Sequence, residues 1–241
     1  MPFNDPKLKM QWHYKNFGIT PRSVEGADIN LFEAWKQTTG SPNVIVSIVD
    51  GGIDGSHEDL KDNLWINEGE IPGNSIDDDG NGFIDDVYGY NFVSDKGEIT
   101  LDEAGHGTHV AGTVAARNNN GIGVSGVAGG DGTPNSGARL MSCQIFEGAN
   151  GSGQGARATV YGANNGAVIS QNSWGYDYPG PGNIPASIRE AIDYFIKYAG
   201  CDNDGKQLPN SPMKGGVVIY AAGNDDKDYL SYPSAYPPVT V

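Results

Sequence analysis

The chain has 241 residues, 37% hydrophobic and 19% charged, a balance that fits a folded globular protein. Acids outnumber bases 30 to 15, a formal charge of −15, which argues against nucleic acid or an anionic membrane surface as partner. No apolar run approaches a membrane span, and Cys143 and Cys201 suggest neither a disulfide scaffold nor a metal site of their own; they pair or stay free.

Residues 1–40 read as an irregular arm with one short helix over 28–35, where Asp28 is a fair N-cap and Leu31, Phe32 and Trp35 share a face. Residues 43–52 form a nearly continuous β-branched run ending in Asp50-Gly51-Gly52. This predicts a buried parallel strand with a carboxylate at its C-terminal end, where open α/β sheets place function. Taken alone, Asp50 also reads as a turn or cap. Residues 61–104 form a polar, acidic insertion. Counting from Asp77, oxygen side chains fall at positions 1, 3, 5 and 9 (Asp77, Asp79, Asn81, Asp85), glycine stands at 6, and Phe83 at 7 offers a carbonyl. That is the opening of an EF-hand-type calcium loop, although Tyr88 replaces the closing glutamate. A merely solvated acidic loop is the plainer alternative.

In Gly105-His106-Gly107-Thr108-His109-Val110-Ala111-Gly112, a histidine between glycines opens a small, apolar helical pattern. A lone histidine there reads as structural; its company decides its role. The segment 117–124 is turn-rich and oxygen-rich. Strands are then expected over 139–146, 168–172 and 216–224, with helices over 155–165 and 184–199. This alternation implies one α/β domain with a doubly wound, mostly parallel sheet and helices on both faces. Asp50, His106 and Asn224 would all stand at strand ends or helix starts. They suggest a base oriented by a carboxylate and an amide for a developing oxyanion.

With these three segments in this order, the chain resembles the subtilisin-like serine proteases, the subtilases. Residues 48–54 with 57–60 resemble the family's aspartate motif, 105–112 its histidine motif and 221–224 its oxyanion-asparagine motif. The resemblance implies a serine endopeptidase of the subtilisin type, with Asp50 and His106 in the triad and Asn224 at the oxyanion. It implies a cleft between Gly151-Ser152-Gly153-Gln154 and Ser173-Trp174-Gly175, where a protein or peptide substrate lies as an added strand. The alternative for Trp174 is internal packing, which is compatible with the cleft.

The resemblance also implies a calcium ion held by side-chain oxygens of Asp5, Asp59 and Asn120 and by carbonyls of Arg117, Ile122 and Val124. The Asp77 loop is a second, possible site. It implies secretion or a cell-envelope location. The family's nucleophile lies in a Gly-Thr-Ser-Met-Ala segment beyond the asparagine, and residues 1–241 contain none. Ser125, Ser231 and Ser234 do not sit on a strand-to-helix turn. The chain is therefore expected to stop short of the serine, to be inactive alone, and to be completed by a missing C-terminal portion or a second chain. Two rival readings stay open at this point. One is a calcium-stabilised peptide-binding pseudoprotease. The other is a metal-dependent hydrolase using His106 and His109, with His13 or His57 in support.

Overall fold

The computed structural model describes residues 1–101, 105–147, 150–151, 154–176, 184–226, 228 and 230–240. Its centre is a five-stranded, wholly parallel sheet in the order β2-β3-β1-β6-β7. The strands are β1 (Ile45–Asp50), β2 (Gly89–Asn91), β3 (Arg139–Gln144), β6 (Ile169–Asn172) and β7 (Val217–Tyr220). A two-stranded antiparallel ribbon pairs β4 (Phe146–Glu147) with β5 (Asn150–Gly151).

Successive strand residues point to opposite faces. On one face Val46, Ile48 and Leu140 pack under α2 (His106–Ala115) through Ala111 and Ala115. On the other, Val49, Met141 and Cys143 pack under α3 (Gly155–Asn164) and α4 (Ala186–Tyr198) through Tyr161, Ile192 and Phe195. Cys143 and Cys201 are both free, the first buried.

The N-terminal arm has its own small core of Leu8, Tyr14, Leu31 and Trp35. Its helix, α1 (Leu31–Ala34), is shorter than 28–35. Asp28 does not cap it; its carboxylate instead accepts the backbone N–H groups of Asn16 and Asn30, and Asn30 caps the helix in the left-handed region. Tyr14 Oη donates to the Ser125 carbonyl at 3.0 Å and Trp35 Nε1 to that of Val127 at 2.8 Å. The arm is thus pinned to the loop that follows α2.

The chain leaves β1 toward the β3 side of the sheet and leaves β6 toward the β7 side. Connections diverging in this way open a crevice at the carboxyl ends of adjacent strands. Asp50 ends β1 and Asn172 ends β6, so both border that crevice.

Candidate active site

Asp50 is buried at the end of β1, and its Oδ1 accepts the Gly51 backbone N–H at 2.7 Å. The first residue of α2 is His106, and its Nδ1 lies 2.8 Å from Asp50 Oδ1. Two glycines make this approach possible. Gly105 caps α2 with φ +63°, and Gly107 leaves no room for a side chain: a Cβ there would press into the Gly52 carbonyl oxygen and lie 3.2 Å from Asp50 Oδ1. The carboxylate side chain is 3% exposed and the imidazole 55% exposed. A buried acceptor on Nδ1 selects the tautomer that leaves Nε2 as the basic nitrogen. The pair can therefore take a proton from a group arriving in the crevice.

Asn224 follows β7, one residue after Gly223 at φ +100°, and is exposed. The parallel pairing of β1, β6 and β7 brings Asp50, Asn172 and Tyr220 to the same end of the sheet, and Asn224 lies in the turn that follows Tyr220. Ser173 Oγ accepts from Gln171 Nε2 at 3.1 Å, and Trp174 packs edge-on to Tyr220 with ring centroids 5.1 Å apart. Trp174 also covers Gly155, where a Cβ would lie 3.2 Å from the indole. Its packing is internal, as one sequence alternative held. Gly175 sits near Tyr232 and Gln154 caps α3; Ser152 and Gly153 lie outside the described residues.

A sequence profile described as "Subtilase family" matches residues 41–241. The chain belongs to this family. Among similar proteins are subtilisin-like protease 1 of Plasmodium falciparum (isolate 3D7), 30% identical over 86% of this chain and 28% of that protein, and the major intracellular serine protease of Bacillus subtilis (strain 168), 32% identical over 85% of this chain and 51% of that one. This subtilase chain therefore spans about a quarter to a half of these relatives' length. A solved complex of Aeromonas sobria serine protease with its chaperone superposes with TM-score 0.63 at 24% identity, covering 93% of this chain and 32% of that one. MycP1 with its propeptide removed gives 0.56 at 24%, covering 88% and 59%. These two likenesses bear on the fold, and they agree with the expected doubly wound sheet. Among the described residues of the subtilase, no helix is long and apolar enough to cross a membrane.

The residues assigned to a first calcium site come together in this subtilase. Asp5 and Asp59 are both buried. Asp5 accepts the backbone N–H groups of Asn119 and Asn120 and the Ser125 hydroxyl, and Asp59 accepts Asn120 Nδ2 and the Val124 N–H. Burial is the main cause that raises the Asp59 carboxyl above its ordinary value, and the Asp5 charge adds to it. Two buried carboxylates that repel each other suit a cation between them. The carbonyls of Arg117, Ile122 and Val124 receive no hydrogen bond among the described residues, which leaves their lone pairs for a metal. These donors fit calcium, an oxygen-seeking ion.

The acidic loop differs from the EF-hand reading. Glu70, Asp77 and Asp79 bring carboxylate oxygens within 4.8 Å of one another, and they are the only such group among the described residues. Asp85 is turned away: its oxygens accept the N–H groups of Gly73, Asn74 and Ser75. Asn81 accepts from the Phe83 N–H, and the Phe83 ring packs against Tyr161 at 4.8 Å. Glu70 escaped sequence reasoning because it precedes Asp77 outside the loop spacing. It is buried and accepts the N–H groups of Asp78, Asp79 and Asp85. His106 Nδ1 faces the Asp50 carboxylate, and the family match favours a serine protease over the metal-hydrolase alternative.

One further buried carboxylate braces this loop. Asp86 is fully buried and accepts from Tyr161 Oη at 2.6 Å. Burial is the main cause that raises its carboxyl, and the Tyr161 bond pulls it back. The folded state holds this proton more tightly than the unfolded chain. Asp86's contribution therefore makes stability fall as pH rises from the ordinary carboxylate value to the raised one. Tyr161→Phe is expected to cost about 1–3 kcal/mol at neutral pH, where the buried charge loses a donor. The cost should shrink in acid, once the pH falls below that raised value and Asp86 is protonated. Urea denaturation in the two pH ranges checks this; an equal cost in both would remove the tyrosine–carboxylate bond as the cause.

Proposed function

We propose that this subtilase chain carries the general base, the orienting carboxylate and the oxyanion donor of a serine endopeptidase of the subtilisin type. The observation that carries this reading is the 2.8 Å contact between buried Asp50 and exposed His106 at the carboxyl edge of the sheet. In the proposed cycle, His106 Nε2 takes the proton of a serine hydroxyl as that oxygen attacks the peptide carbonyl. Asp50 stabilises the imidazolium that forms, and His106 returns the proton to the leaving amine. The Asn224 amide donates to the oxygen that gains negative charge. A protein or peptide substrate lies extended between residues 151–154 and 173–175, held by main-chain hydrogen bonds. The serine is supplied by polypeptide outside residues 1–241, and the protein works outside the cell or in its envelope. The test is casein hydrolysis and labelling by an active-site serine reagent. Turnover by the pure 241-residue chain that is sensitive to His106→Ala would overturn the assignment of the nucleophile elsewhere.

The reading includes calcium at Asp5, Asp59, Asn120, Arg117, Ile122 and Val124, where the ion would neutralise two buried carboxylates and tie the arm to the body. A second ion is proposed at Asp77 and Asp79, with Glu70. At a calcium concentration about a hundredfold above Kd, the linkage is worth about 2.7 kcal/mol per site. That corresponds to a rise in Tm of about 5–10 °C for a chain of this size. A thermal melt in calcium and in chelator measures it, and coincident curves would remove both sites.

A further inference from the structure

A cavity of about 700 Å³ opens between residues 53–56, 84–88 and 95–101, and none of the residues named above for the dyad lines it. It nevertheless lies beside them. One wall is Ile53 and Asp54, which follow directly on the Asp50 turn. Another is Ile99 and Leu101, on the segment that leads to His106. The two walls are locked together: a Cβ on Gly52 would lie 2.6 Å from the Thr100 carbonyl oxygen and 3.1 Å from Ile99. Buried Gln144, the register partner of Asp50, holds Thr100 in place by accepting its N–H at 3.0 Å. The Asp54 N–H donates to Thr108 Oγ1 on the first turn of α2 at 3.0 Å. The cavity is thus built from the same backbone turns that set the dyad.

Its chemistry is two-sided. Its apolar lining includes Ile84, Tyr88 and Leu101, each about half exposed. The charged residues of the lining are Asp54, Asp85, Asp95 and Glu98 against one cation, Lys96. Lys96 is paired with Glu98 at 2.8 Å, and Asp95 is paired with Arg157 at 2.6 Å. Asp54 and Asp85 are in no ion pair among the described residues. Hydrogen bonds from Ser56 hold the Asp54 carboxyl below its ordinary value, so it stays charged. Lysine and arginine lay their aliphatic stems on apolar surface and keep the charge at its edge. A basic side chain matches the apolar and the acidic lining together, whereas a purely apolar one brings Asp54 and Asp85 no counter-charge and an acidic one is repelled.

We propose that this cavity, between the segment after Asp50 and the segment before His106, is a specificity pocket for an arginine or lysine side chain of the peptide in the active site. The assignment rests on the proteolytic reading of the Asp50–His106 pair. It is tested by fluorescence anisotropy on the 241-residue chain. The probes are fluorescein-labelled decapeptides of one sequence in which arginine, lysine, leucine or glutamate is placed at each position in turn. At one position arginine and lysine should bind at least about tenfold tighter than glutamate, with leucine between them. Ile84→Arg and, independently, Leu101→Arg should each cut that ratio below about threefold, since each fills the cavity with the charge it is meant to receive. Both replace exposed side chains on different segments, and circular dichroism checks that each variant is folded.

Arginine and glutamate peptides bound within threefold of each other at every position would overturn the pocket. So would a preference that survives both variants, or no binding by any peptide. The proteolytic reading is judged separately, by the effect of His106→Ala on turnover, so the two can fail independently.

Discussion

In an active form of the protein that carries its nucleophile, His106→Ala is expected to lower kcat by about 10⁴-fold while KM changes less than about threefold. The geometry dictates this split. His106 is held through Nδ1 by a carboxylate that faces away from solvent, an arrangement that orients the ring for proton transfer rather than for gripping a substrate. A peptide lying along residues 151–154 and 173–175 would dock without it. What disappears is the proton acceptor at the moment of attack. The helix should survive the change, because the buried residues of α2 are Gly107, Ala111 and Ala115, not its first residue. Steady-state kinetics on a short chromogenic peptide, with a melting curve as control, would decide. A loss carried mainly by KM would reassign His106 to substrate binding.

Gly107→Ala is expected to damage both stability and activity, although alanine is the better helix former. The propensity gain is at most about 1 kcal/mol. Against it stands a methyl group pressed into the Gly52 carbonyl and crowding Asp50 Oδ1. The colliding atoms are backbone, so relief requires the first turn of α2 to lift away from the strand end. Overpacking of this kind costs about 1–3 kcal/mol. A net loss of about 2 kcal/mol corresponds to a fall in Tm of about 4–8 °C. Misplacing a catalytic group by about 1 Å costs about a hundredfold in rate. A Gly107→Ala enzyme with unchanged Tm and kcat would show that the glycine is not what brings histidine to aspartate.

The parts of the fold that were legible in the sequence owe their structure to their own residues. The β-branched run ending at Asp50 makes a strand because branched side chains suit a sheet buried on both faces. Gly105-His106-Gly107 and the alanines after it specify where α2 begins and which face it buries. The illegible parts depend on distant partners. Gly89–Asn91 is a strand only because it pairs with Ser142–Gln144; three residues inside an acidic loop carry no period. Glu70 gathers amides from a loop that begins several residues later, and no spacing rule announces it. Asp85 fits the loop spacing but finds three amide donors in the opposite direction, at Gly73, Asn74 and Ser75. Local pattern located the dyad, whereas the acids were sorted by which backbone donors reached them.

The arm pinned to the loop behind α2 has a consequence for how the chain is made. Its partners at Ser125 and Val127 lie 111 and 92 residues downstream of Tyr14 and Trp35. During synthesis the arm therefore leaves the ribosome long before anything exists for it to dock on. At about 5–20 residues per second, that interval lasts on the order of 5–20 seconds. Through it Leu8, Tyr14, Leu31 and Trp35 have only one another for company. Contacts of such long sequence separation are slow to close, so the arm stays undocked at least until the loop behind α2 has emerged.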